Sequence, residues 1–238
     1  MTKIMKVAIM QPYIFPYIGY FQLIQAVDKF IFYDDVNFIK KSWINRNQIL
    51  INNQAHLISI PLQKASQNIL IKDTLISYDT PWRNKLITKI EMNYKKAPHF
   101  KAAFPIVKNI IEAQEKTISD LAILGIKKIA YYLELDTKFE LSSEMYQESK
   151  ELKKENRLIQ ICKKNNADKY INPSGGEELY SKKDFYNKGM ELQFIENSIL
   201  PYQQFSFNSF ISHLSIIDVL MFNSKEQITE MLQQYKLH

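Results

Sequence analysis

Short, unbroken apolar runs alternate along this chain with longer stretches in which apolar residues recur every three or four positions. Val7-Ala8-Ile9-Met10 is the first such run, too short for a helix and with no polar face, as in a strand covered on both sides. Gln11-Pro12 ends it, because Pro12 has no N–H for a ladder and biases Gln11 toward an extended conformation. Pro16 sits where a first helical turn tolerates proline, and Gly19, Phe21, Leu23 and Ile24 follow at helix spacing. Lys29 to Tyr33 reads as a second buried strand, closed by Asp34-Asp35. A helical pattern between two buried strands predicts a parallel crossover.

The pattern then changes period. ILINNQAHLISIPLQ, from Ile49, alternates and predicts a hairpin with Asn52-Asn53 at its turn, and Ile69 to Tyr78 is again strand-like. Residues 49–78 are therefore expected as a β insertion, a candidate flap over a site. A helix is expected with Asp79 or Thr80 as its cap and Pro81 at its first position, ending at Pro98; another runs from Phe100 to Ala113. Thr117 caps a third, ISDLAILGIKKIAYYLEL. Thr137 to Glu144 returns to the sheet, and Lys150 to Asn165 forms a surface helix with Cys162 on its inner stripe, a small buried hydrophobe. Ala167 to Asn172 and MELQFIE supply further strands, and an apolar helix over Ser212 to Phe222 carries Asp218. The whole predicts a single α/β domain over 1–238. Its parallel, Rossmann-like sheet is flanked by helices, with a C-terminal helical appendage from about 200 to 238.

Parallel strands place all their exits on one edge, where open α/β sheets bind ligands. The residues expected there are Gln11 after the first strand, Tyr17, Gly19 and Tyr20 at the first helix, and Asp34 and Asp35 after the second strand. Gly19 weakens its helix, so either a close approach or helix–sheet packing accounts for it. The Asp pair suits a sugar hydroxyl, a cation or general base work, and it equally suits a turn and helix cap. The following loop, Asn37 to Asn47, mixes donors with an indole: Lys41 and Arg46 suit phosphate oxygens, Trp43 suits ring stacking, and Asn47 adds an amide. Further on, Ser174-Gly175-Gly176 follows a strand and suits backbone contact with an anion, with Tyr180 close behind. Asp34, Asp35 and Lys41 are the catalytic candidates and the others the substrate-binding candidates. His56 is expected to be a hydrogen-bonded structural residue, since no second His lies at metal spacing.

Composition narrows the partners. Hydrophobic residues are 46% of the 238, enough for a core. Net charge is +6 with a pI near 9.1, which favours anionic partners, yet the lysines are dispersed and no nucleic-acid recognition motif stands out. No apolar run approaches the ~18 residues of a membrane span. The single cysteine excludes an internal disulfide framework and suits a reducing cytoplasm, the expected location, and the N-terminus does not read as a signal peptide. No metal and no cofactor is expected, and the oligomeric state is open.

QPYIFPYIGYF, FYDDVNFIKKSWINRN, NPSGGEELY and LSIIDVLMFN, taken together and in order, resemble the WbqC-like protein family across nearly the full chain. That resemblance implies bacterial surface-polysaccharide metabolism such as O-antigen assembly, and a nucleotide-linked sugar or related phosphorylated small molecule as partner. A looser likeness is to HIGH-type nucleotidyltransferases, whose His-x-Gly-His turn matches Tyr17-Ile18-Gly19-Tyr20, both histidines being replaced by tyrosine, which carries no positive charge at neutral pH. The leading expectation is a transferase acting on a nucleotide-linked amino sugar, by acyl or aminoacyl transfer. A non-catalytic binder of the same ligand and a nucleotidyltransferase-like enzyme with an altered motif are the alternatives.

Overall fold

The structure, a computed structural model, describes residues 4–206 and 210–238. Its centre is a six-stranded sheet of β1 (Lys6–Met10), β2 (Lys29–Phe32), β5 (Lys138–Leu141), β6 (Lys169–Pro173), β7 (Glu191–Asn197) and β8 (Tyr235–Leu237), in the spatial order β5-β2-β1-β6-β7-β8. Every neighbouring pair is parallel except β7 with β8. Counted within the sheet alone this is 3-2-1-4-5-6, the Rossmann-like doubly wound order, in which the chain reverses direction of winding between β1 and β6.

Side-chain alternation divides the sheet residues between two cores. Ala8, Phe30, Phe32, Ile171 and Ile195 point to one, beneath α1 (Ile18–Gln25), α3 (Phe100–Glu112), α4 (Ile118–Tyr132) and α8 (Ile216–Phe222). Val7, Ile9, Ile31, Tyr170, Leu192 and Phe194 point to the other, beneath α6 (Lys154–Lys164) and α7 (Lys182–Tyr186). Both faces are covered, which is why β1 and β2 are unbroken apolar runs rather than alternating ones.

A separate hairpin pairs β3 (Arg46–Ile51) with β4 (Gln54–Ser59), turning on Asn52 and Asn53 at φ 49° and 58°. Two successive left-handed residues are what a two-residue hairpin turn matched to strand twist requires, and Asn tolerates them. The hairpin is anchored by its first arm: Leu50 N–H donates to the Tyr94 hydroxyl in α2 (Trp82–Tyr94), and Ser215 N–H donates to the Gln48 carbonyl. His56, expected to be tied into the second arm, is exposed on it.

Other expectations change as well. Ile69 to Tyr78 is not a strand. A 3-10 turn over Ile71–Asp73 interrupts it, closed by the Thr74 hydroxyl on the Leu70 carbonyl, and what remains makes isolated bridges such as Leu62 to Ile76. α2 starts one residue late, with Pro81 as its uncapped N-cap, because Asp79 accepts from the Ser77 hydroxyl instead of capping the helix. The C-terminal stretch is also more than helices. After α8 and α9 (Lys225–Met231), β8 returns to extend the sheet, and the buried Gln22 of α1 donates to the carbonyls of Ser198, Met231 and Gln234.

The loop between β1 and α1 is held from three directions. The Asn47 amide donates to the carbonyls of Ile14 and Phe15, the Ser215 hydroxyl donates to Phe15, and Ile14 N–H donates to Ile44. With its carbonyls taken by distant elements, this loop is a fixed partition at the sheet's carboxyl edge.

Candidate functional site

Two clefts adjoin that partition. One, about 320 Å³, lies at the switch point. Ile9, Leu158 and Tyr170 line its apolar parts, Gln11 and Asn172 bring amides, Gly175 and Gly176 a turn, and Tyr33 and Tyr180 phenols. The Asn172 side chain is 6% exposed. Its Oδ1 accepts a long bond from the Tyr170 hydroxyl (3.5 Å), and among the described residues nothing accepts from its Nδ2. That donor is accessible at the cavity wall, where a ligand can take it.

The two glycines differ. A Cβ on Gly176 would stand 2.0 Å from Asn172 Nδ2, so Gly176 is required for the amide to lie where it does. A Cβ on Gly175 would meet nothing within 4 Å, so this residue leaves open space at the cleft. Burial raises the Tyr33 phenol above its ordinary pKa, while the Arg157 guanidinium, 4.8 Å over its ring, pulls the other way. Burial likewise raises the Tyr180 phenol.

The second cleft, about 240 Å³, lies on the other side of the partition and is lined by Tyr13, Tyr17, Trp43, Asn47 and His213. Tyr17 and His213 stack at 6.0 Å and 25°. The Tyr17 hydroxyl donates to Asn197, and Trp43 stands 51% exposed at the mouth. Gly19 is explained here by its own neighbour: a Cβ would lie 2.4 Å from the Tyr17 ring, so the glycine lets that ring fold back on the helix.

The structure thus separates the candidates. Gln11, Gly175, Gly176 and Tyr180 meet at the switch point; Tyr17, Trp43 and Asn47 meet in the aromatic cleft. Tyr20 is buried, stacks edge-on against Tyr13 and donates to the Gln11 carbonyl, so it supports the partition instead of facing a ligand. Ser174 and Lys41 are exposed and line neither cleft; Arg46 is half-buried, with its Nε donating to the Ser42 carbonyl.

The two carboxylates expected to react are enclosed. Asp34, 2% exposed, accepts from the Ser143 N–H and hydroxyl (3.0 and 2.6 Å) and the Ser142 hydroxyl (3.0 Å), capping the short α5 (Ser142–Met145). Asp35 takes Ser142 on one oxygen and Arg157, at 2.5 Å, on the other. Neither lines a cleft, so the cap alternative describes their contacts better than the catalytic one.

Tyr13, Tyr33, Asn172, Arg157 and His213 were not among the candidates. Arg157 could have been found: it is one turn before Ile161 on the inner stripe of α6, an unusual place for an unpaired cation. His213 could not, because its contact with Tyr17 spans almost the whole chain. Larger hollows exist elsewhere, about 480 Å³ at the amino ends of the strands and 560 Å³ beside α2, and neither holds a candidate residue.

The family model for the WbqC-like protein family matches residues 11–230. The uncharacterized protein Rv1507c of Mycobacterium tuberculosis (strain ATCC 25618 / H37Rv) is 30% identical over 218 residues, 90% of this chain and 92% of that protein. No solved structure matches. No helix among the described residues is long and apolar enough to cross a membrane, and no group of three or more metal-ligating side chains is present among them.

Proposed function

The chain belongs to the WbqC-like protein family, and on that premise we propose that it is a transferase acting on a nucleotide-linked amino sugar in surface-glycan precursor biosynthesis. The carrying observation is the switch-point crevice, with the unpaired Asn172 amide donor at its wall beside a glycine that leaves room. Ligands of doubly wound sheets bind at this place. In this reading Asn172 Nδ2 and Gln11 hydrogen-bond the ligand, Tyr33 and Tyr180 flank a ring, and the Ser174-Gly175-Gly176 turn meets phosphate. Arg157 and Asp35 position Tyr33 from below. The group transferred to the sugar amine is an acyl or aminoacyl group.

A second reading, a binder without chemistry, is favoured by one feature: no Asp, Glu, Lys or Arg lines either cleft. The nucleotidyltransferase-like reading is weakened, because Tyr20, at the second motif histidine's place, is turned into the core.

Calorimetric titration with uridine-, guanosine- and thymidine-diphosphate sugars tests the site, and product analysis with an acyl donor tests the chemistry. Binding of at least one nucleotide sugar, weakened by Asn172→Ala, is expected. Folded protein that binds none would overturn the proposal; binding without turnover under any donor would select the binder.

A further inference from the structure

We infer that the aromatic cleft is a separate saccharide subsite, taking one pyranose ring with its C–H groups against the aromatic side chains of Tyr17, His213 and Trp43. The inference rests on the glycan reading above for its biology and on independent geometry for its chemistry.

Size comes first. At about 240 Å³ the cleft is smaller than the roughly 300–1,000 Å³ of sites for drug-sized ligands. It has room for one sugar ring. The lining chemistry then discriminates among ring-sized ligands. Tyr17 and His213 lie against each other at 6.0 Å, so no slot remains between them for an inserted base, and a ligand must lie upon them. A nucleobase is read through hydrogen bonds to its edge, for which an amide is well suited. The one amide here, Asn47, donates to Ile14 and Phe15 and accepts from Gln48 N–H, so it is committed to the backbone. A cation would find aromatic faces, but no carboxylate lines the cleft. A pyranose needs only apolar faces for its C–H groups and solvent for most of its hydroxyls, which an open aromatic cleft supplies.

Two further details fit a built site. His213 holds a left-handed backbone at φ 59°, and its Nδ1 lies 2.9 Å from the Ser212 hydroxyl, which fixes the ring toward Tyr17. Trp43 leaves a large indole half in solvent, where packing gives no reason for it.

The protein's two tryptophans make the test direct. Trp82 is 7% exposed and its indole N–H has no partner, so Trp82→Phe removes an unpaired polar group while keeping a ring and leaves Trp43 as sole reporter. On Trp82→Phe protein, emission is followed during addition of glucose, galactose, N-acetylglucosamine and their β-linked disaccharides, with nucleosides and choline alongside. A saturable change with saccharides, at about millimolar Kd, is expected. His213→Asn, which tolerates the left-handed backbone, should weaken it about tenfold or more with unchanged circular dichroism. Trp43→Ala, followed by calorimetry, should do the same. Neither variant should alter nucleotide-sugar binding at the switch point, and Asn172→Ala should leave the Trp43 signal intact, so failure of one site is distinguishable from failure of the other. No saturable response to any saccharide, a response to nucleosides or choline instead, or a saccharide response that survives His213→Asn would overturn the inference.

Discussion

At the end of β2 two carboxylates, two serines and a guanidinium close on one another, whereas at the end of β6, on the same edge of the sheet, an amide and two glycines face an open crevice. The first group was the more suggestive as chemistry, since paired acids are what acid–base catalysis uses. Its charged members are 2–6% exposed and engaged with one another and the serines, so their charges build the edge. The second group carries no charge, yet it has a donor without a partner and space beside it. Polar groups that answer each other hold the frame of this edge, while the Asn172 donor is left free for a ligand to take.

The largest effect expected from breaking this contrast is at the acid pair. Asp35→Ala leaves Arg157, 4% exposed, without its carboxylate, which costs about 3–5 kcal/mol. Urea unfolding should show that loss. If Asp35 were instead a catalytic base, Asp35→Asn would keep most of the stability while abolishing turnover, and the contrast would fail.

Much of the frame was legible for a physical reason. β1 and β2 are buried on both faces, so each is a contiguous apolar run, and Asn52-Asn53 carries its own turn conformation. β8 was not legible: three residues, Tyr235–Leu237, are a strand only because β7 offers them a register. At the site, Gln11 and Gly175 could be placed because strand exits in a parallel sheet share an edge. What the acids do could not, since whether a carboxylate is open or enclosed depends on Arg157, Ser142 and Ser143, more than a hundred residues away. Tyr17 and Tyr20 look equivalent in the chain, and only packing sends one to a cleft and the other to the core.

The next effect sharpens the open side. Gly176→Ala puts a methyl 2.0 Å from Asn172 Nδ2, so the amide must swing or the turn must shift. Overpacking of this kind costs about 1–3 kcal/mol. Thermal unfolding should register it, and calorimetry should show nucleotide-sugar binding lost with the displaced amide.

A third acid tests the rule where neither strand exit is involved. Asp218 is fully buried, accepts from Tyr94 (2.8 Å), Tyr202 (2.6 Å) and Gln204 (2.7 Å), and has no cation among these partners. Burial raises its pKa, and the three hydrogen bonds oppose that only in part. A carboxyl whose folded pKa is raised holds its proton more tightly folded than unfolded. Its contribution is therefore full below the unfolded carboxyl pKa of about 3.9 and declines as pH rises through the folded value. Asp218→Asn should flatten that part of the stability–pH curve, measured by urea unfolding at stepped pH. An unchanged slope would mean that the hydrogen bonds fully offset the burial.

The smallest effect on stability is the most discriminating for function. Gly175 has no positive φ to protect, and a Cβ there meets no atom within 4 Å. In a backbone that alanine can adopt, Gly→Ala restricts the unfolded chain and stabilises by about 0.4–1 kcal/mol. Gly175→Ala should therefore unfold at the same temperature or slightly higher. Gly175 nevertheless lines the switch-point crevice, so the added methyl takes space that a phosphate beside the turn would occupy. Nucleotide-sugar affinity should fall while Trp43 emission still responds to saccharides. A variant as stable as the parent that binds nucleotide sugar equally well would remove the glycine turn from the site and leave the crevice to Asn172, Gln11 and the two phenols.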